Sequence, residues 1–203
     1  VICSDKTGTL TTNMMSVAEV LTLGASKSSA GDVELQEFDV QDTMFEPVGS
    51  IVRTDNSQLV DHPAGNASFC DIAQVCAICN DSSLHYNIQE GKTTRIGEAT
   101  EAALRTLTEK IGHPDLAEHI GLASLDPNSR VLACNKYWQS LFRKNATLEF
   151  SRDRKSMSVY CTSLDTGRNI LFVKGAPERI LERSDFVKLN GSQTVPLTPA
   201  IKT

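Results

Sequence analysis

The spacing of apolar residues changes period along this chain, and that change limits the folds open to it. Phe69, Ile72, Ala73, Cys76 and Cys79 recur at three- and four-residue steps, the mark of a helix with one buried face. A second helix is expected from Glu98 to Ile111, with Ala103, Leu104, Leu107 and Ile111 on one stripe. Gly112 ends it and Pro114 follows. Asp126-Pro127-Asn128-Ser129 opens a third, with Cys134, Trp138, Leu141 and Phe142 facing in. Near Met157 the period becomes two. Met157, Val159 and Cys161 alternate with Ser156, Ser158 and Tyr160, which predicts a half-buried strand. Asp165-Thr166-Gly167 turns the chain back into a strand from Asn169 to Lys174, and Pro177 starts a short helix ending at Arg183. Phe186 to Leu189 and Gln193 to Val195 form a hairpin across a two-residue turn, Asn190-Gly191. Helices together with antiparallel hairpins predict an α+β fold. Before Phe69 the pattern is weaker, with short strands near Val17 to Leu23, Gln36 to Val40 and Ile51-Val52, and a loop over Ala25 to Asp32.

Composition narrows the function classes. Forty per cent of the 203 residues are hydrophobic, enough for a core. A net charge of −5 argues against a nucleic-acid partner held by a basic surface. No run approaches the length of apolar sequence that spans a membrane. The first residues, Val1-Ile2-Cys3, read as a strand already under way, and the last ones lack a closing element, so the chain is expected to be a fragment. Cys76-Ala-Ile-Cys79 has a metal-like spacing but no second Cys or His pair, which favours buried, reduced thiols. Gly91-Lys92-Thr93-Thr94 resembles the end of a P-loop, yet Tyr86 stands where that motif needs its first glycine.

The strongest chemical signal is Asp5-Lys6-Thr7-Gly8-Thr9-Leu10-Thr11 after the apolar run. An Asp at the end of such a strand sits at the carboxyl edge of a sheet, where open α/β sheets bind ligands. It can attack phosphorus to form an acyl phosphate. Gly8 permits a tight turn whose backbone N–H groups cradle oxygens, and Mg²⁺ would relieve repulsion between the two anions. This run resembles the phosphorylation signature of the P-type ion-pumping ATPases. Lys174-Gly175-Ala176-Pro177-Glu178 and Gly97-Glu98-Ala99-Thr100-Glu101 resemble two further elements of that family. Asn80-Asp81-Ser82-Ser83 and Phe150-Ser151-Arg152-Asp153-Arg154-Lys155-Ser156-Met157-Ser158-Val159 narrow the likeness to the sarco/endoplasmic-reticulum calcium pumps.

The resemblance implies an architecture and a chemistry. Residues 1–12 would be the edge of a doubly wound α/β phosphorylation domain, its DKTGT loop and a hinge. Residues 13–203 would be a nucleotide-binding domain, an antiparallel sheet flanked by helices, incomplete at its C-terminus. Asp5 would be the phosphorylated nucleophile, and Asp5 with Thr7 would hold Mg²⁺. Phe150 would stack on the adenine of ATP. Arg152 and Lys155 would meet the triphosphate, and their charge suits it. Lys174 would be a pocket lysine. Glu101, in the first turn of its helix, would make a polar contact to the adenine amine. The implied parent is a phosphoprotein hydrolase and translocase of the sarco/endoplasmic reticulum membrane. It would move Ca²⁺ from cytosol to lumen through transmembrane helices that this chain lacks, with this segment facing the cytosol. Small membrane regulators are among the partners such a parent would meet. The competing readings are the same module from another P-type cation pump, and an ATP-binding module inactive in isolation.

Overall fold

A computed structural model of the chain describes residues 14–26, 33–41, 45–115 and 125–202. They form an α+β fold of antiparallel sheets flanked by helices. Strands β1 (Glu19–Ala25), β2 (Val33–Val40) and β3 (Ile51–Arg53) make the first sheet in that order. Helix α1 (Ala67–Ile78) packs beneath it, started by Asn66, whose side chain accepts a hydrogen bond from Ser68 N at 2.9 Å. Then come the hairpin β4 (Ser83–Asn87) and β5 (Lys92–Ile96), helix α2 (Ala99–Ile111), and the helices α3 (Pro127–Arg130) and α4 (Ala133–Ser140). The second three-stranded sheet is β6 (Phe142–Ser151), β7 (Ser156–Ser163) and β8 (Asn169–Gly175), with β7 in the middle. The described chain closes with α5 (Pro177–Glu182), the hairpin β9 (Phe186–Leu189) and β10 (Gln193–Pro196), and α6 (Pro199–Lys202).

One core joins the first sheet to the helices. Val20, Phe38, Val40 and Ile51 meet Phe69, Ala73, Cys76 and Ala77 of α1, Leu107 and Ile111 of α2, and Trp138 of α4. A second core lies between the end of α1 and the second sheet, where Ile78 and Cys79 contact Met157, Val159, Cys161 and Phe172. The three-to-four spacing in α1 and the alternation in β7 therefore point at each other across one seam.

A buried polar network fixes the helices. Arg105 of α2 donates to the carbonyls of Ala77, Asn80 and Ser82 and to Asn135 Oδ1, at 2.7–3.1 Å. The Glu109 carboxylate accepts from Cys134 N at 3.0 Å and Asn135 N at 2.9 Å. Those are first-turn amides of α4, whose preceding residue Leu132 offers no side-chain cap. An acid on α2 thus supplies the cap that α4 lacks.

Several expectations need correction. The third helix is two, because Leu132 leaves helical geometry (φ −134°, ψ 21°) and α4 restarts on Glu109. Phe142 is not on that helix and begins β6. β7 is not half-buried at its start, where Ser156, Met157, Ser158 and Val159 are all buried. It is flanked on both sides, and the Arg154 guanidinium lies 3.4 Å from Ser158 Oγ on the polar face. The 190–192 loop has three residues, since Leu189 pairs with Gln193. Asn190 and Gly191 both adopt positive φ, and a Cβ on Gly191 would collide with the Ala67–Ser68 backbone at the start of α1. Lys92, Thr93 and Thr94 lie in β5, so the P-loop-like run leads into a strand rather than directly into a helix. No helix among the described residues is long and apolar enough to cross a membrane.

Candidate functional site

The candidate residues of the second half gather at one end of the β6-β7-β8 sheet. Met157 at the start of β7 pairs with Lys174 near the end of β8. On its other side the β6–β7 ladder breaks, because Leu148 pairs with Ser158 and Ser151 with Ser156. Two residues of β6, Glu149 and Phe150, thus stand against Met157 alone, which makes a β-bulge. Bulges re-aim side chains, and Phe150 is 62% exposed at this one. It is no core residue. A large bare aromatic at a strand end offers a flat face to a planar ligand.

The turn between β6 and β7, residues 152–155, carries the basic side chains. Lys155 N bonds back to Ser151 O at 2.8 Å, and Lys155 takes a left-handed φ of 48°. That conformation is uncommon for a residue with a side chain and costs about 1–2 kcal/mol. Lys155 O accepts a 2.9 Å bond from Ala176 N, so the turn is stitched to the residue after β8. Lys155 Nζ lies 3.2 Å from Glu178 in an exposed pair, and that residue's own backbone amide, with Lys155 second, holds the Glu178 carboxyl below its usual range. Arg152 is exposed and has no hydrogen-bond or ion-pair partner among the described residues. Asp153 neutralises neither Arg152 nor Arg154.

Lys174 and Glu101 are brought together from 73 positions apart. Lys174 Nζ sits 2.5 Å from Glu101 Oε1, with side chains only 20% and 18% exposed. Glu101 is in the first turn of α2, and its second oxygen accepts from Asp81 N at 3.1 Å. Both oxygens therefore have partners, and Glu101 positions the lysine and the 80–82 turn. Asn80, 3% exposed, ties that turn in place, donating to Glu101 O at 2.8 Å and Cys76 O at 3.1 Å. Its Oδ1 accepts from Ser82 N and Oγ. In the sequence Asn80 and Asp81 stood out as part of a run that resembles the calcium pumps. A small amide after an apolar helix signals an Asx turn, but its partner on α2 carries no local signal.

Arg154, a member of the basic run in sequence, points elsewhere. Its Nη2 donates to Leu148 O at 3.0 Å and Glu149 O at 2.6 Å. Its charge is thereby spent on backbone. Beside the site, a cavity of about 440 Å³ runs between Asn80, Asp81, Arg105, Phe142, Lys144 and Cys161, without Phe150 or Lys174. Asp5 and Thr7, with the Mg²⁺ assigned to them, lie outside the described residues. Cys76 and Cys79 are buried at the end of α1, and burial pushes the Cys76 thiol up to about 12.

An exposed aromatic, an exposed arginine and lysine, and a strand-end lysine paired to an acid in the first turn of α2 thus lie together at one end of an antiparallel sheet. The family model of the P-type ATPase cytoplasmic domain N matches residues 68–203. The chain belongs to the P-type ATPase family, and the matched part is that family's N, or nucleotide-binding, domain.

Proposed function

We propose that this domain binds ATP with its adenine stacked on Phe150, its phosphates toward Arg152 and Lys155, and Lys174 oriented by Glu101 at the pocket edge. The observation that carries the reading is the exposure of Phe150 at the bulge, one strand away from Met157 and two from Lys174. A Phe left bare near an exposed, unpartnered Arg152 gains from a nucleobase the contact it lacks in the protein.

The parent would be a calcium pump of the sarco/endoplasmic reticulum membrane, with this segment on the cytosolic side. Support for the ion comes from the run Phe150 to Val159, which resembles the calcium pumps. Hydrolysis would pass through an aspartyl phosphate on Asp5, with Mg²⁺ held by Asp5 and Thr7. The isolated chain would bind nucleotide without being phosphorylated.

Titration of the chain with ATP tests the site. Base stacking contributes about 1–3 kcal/mol, so Phe150→Ala should weaken binding roughly 5- to 150-fold. Lys174→Ala should weaken it too. Unchanged affinity in both variants would remove the site. In the parent pump, Asp5→Asn should abolish the acid-stable phosphoenzyme, and labelling of wild type that ignores Ca²⁺ would assign the pump to another ion.

A further inference from the structure

We propose that Arg154 is a positioning residue for the base site: its guanidinium holds the β6 bulge in the shape that presents Phe150, and it does not bind phosphate. The inference rests on the stacking role given to Phe150 above.

The argument starts from the bulge. Two residues, Glu149 and Phe150, oppose one, Met157, so backbone groups of β6 fall out of the ladder there. The carbonyls there lie on an exposed edge where water can serve them, so a protein donor acts by fixing their direction rather than by rescuing buried groups. One nitrogen of Arg154 donates to both carbonyls at this point, those of Leu148 and Glu149. Charge-assisted bonds of this kind are about twice as strong as neutral ones. The peptide that carries Glu149 O also carries Phe150 N, so fixing that carbonyl fixes the entry to the aromatic residue. Arg154 is held in turn, since its own N–H donates to Ser151 Oγ at 3.2 Å and its Nη1 reaches Ser158 Oγ at 3.4 Å. The clamp spans the turn from its base, leaving Arg152 and Lys155 to face outward. Arginine suits the task because its planar fork can serve several acceptors at fixed angles, which an ammonium cannot.

The experiment compares wild type, Arg154→Lys, Arg154→Ala, Phe150→Ala and the double variants Phe150→Ala/Arg154→Lys and Phe150→Ala/Arg154→Ala. Each full chain is titrated with ATP and with tripolyphosphate, which has no base. Arg154→Lys keeps the charge and loses the fork. It should weaken ATP roughly two- to tenfold, the scale of one lost hydrogen bond, and leave tripolyphosphate within about twofold. In the Phe150→Ala background neither Arg154 substitution should weaken ATP further. Amide NMR signals of Glu149 and Phe150 should move in Arg154→Lys while those of α1 stay in place, which reports the clamp without any ligand. Unchanged ATP affinity in Arg154→Lys, equal loss of tripolyphosphate, or additivity with Phe150→Ala would each overturn the proposal. If Phe150→Ala itself binds ATP as wild type does, the stacking reading falls and this one with it. If Phe150→Ala weakens ATP but Arg154→Lys does not, only the Arg154 role falls.

Discussion

Replacing Gly175 with alanine would put a methyl group against the backbone of the neighbouring strand. A Cβ there would lie 2.7 Å from Ser156 Cβ, 2.8 Å from Ser156 Cα and closer still to the Lys155 carbonyl oxygen. Gly175 pairs with Ser156, so the obstacle is β7 itself and no side chain can swing aside. Overpacking of this kind costs about 1–3 kcal/mol. Pushing Lys155 O away also stretches its 2.9 Å bond from Ala176 N, a further loss of about 0.5–1.5 kcal/mol. The stiffer unfolded chain returns about 0.4–1 kcal/mol. The net is a destabilisation of about 0.5–4 kcal/mol, centred on about 2, which corresponds to roughly 4–8 °C in Tm for a chain of this size. Circular-dichroism melts and urea midpoints read the effect. Gly167→Ala is the control, because a Cβ there meets nothing within 4 Å and only its φ of 67° resists, so its loss should stay near about 1 kcal/mol. ATP affinity should fall in Gly175→Ala well below its melting temperature, since both Lys155 and Lys174 flank the displaced backbone. A Gly175→Ala melting point within about 1 °C of wild type would refute the steric reasoning.

Arg105→Met should cost about 3–5 kcal/mol in urea unfolding, because it strands three carbonyls and Asn135 Oδ1 in the interior; a loss below about 1 kcal/mol would contradict the network's role. Burial raises the Glu109 carboxyl above its ordinary 4.5, with the bonds from Asn135 and Cys134 opposing. A raised native pKa means that the acid form favours folding, so this contribution is full below 4.5 and fades as pH climbs through the native value. The stability of wild type relative to Glu109→Gln should therefore fall as pH rises above 4.5, and a pH-independent difference would count against it. Burial also raises the thiols of Cys76, Cys79, Cys134 and Cys161. A thiol reagent should modify half-buried Cys70 first among these five, and the other four at the rate of unfolding; equal native-state rates would show the cores to be open.

Where burial and pattern coincide, the sequence was a sufficient guide. The apolar steps of α1 and α2 and the alternation of β7 face a core, and periodicity reports that; the exposed turn before β8 was legible instead from its Asp-Thr-Gly residues. β6 escaped because Arg143 to Phe150 are all exposed, so the strand has no apolar face to reveal it. Lysine, arginine and asparagine on such an edge discourage pairing with other chains and erase the strand signal. The β4–β5 hairpin was hidden for a similar reason, with Leu84 and Thr93 its only fully buried residues. At the site, the residue types of Phe150, Arg152, Lys155, Lys174 and Glu101 were legible from motifs. The Lys174–Glu101 pair was not, because it closes 73 positions of chain. Nor could residue type separate Arg152 from Arg154, which differ only in which way a four-residue turn aims them.

The start of α4 depends on a carboxylate 25 residues earlier in the chain. A helix of eight residues is too short to persist alone in water, where about 12–15 are needed. Without its own cap, α4 has no means of nucleating first. Its first turn is satisfied only against a formed α2 that presents Glu109. One side chain thus ties the two helices into a single cooperative unit: whatever melts α2 also uncaps α4 and loosens the Trp138 it carries into the core.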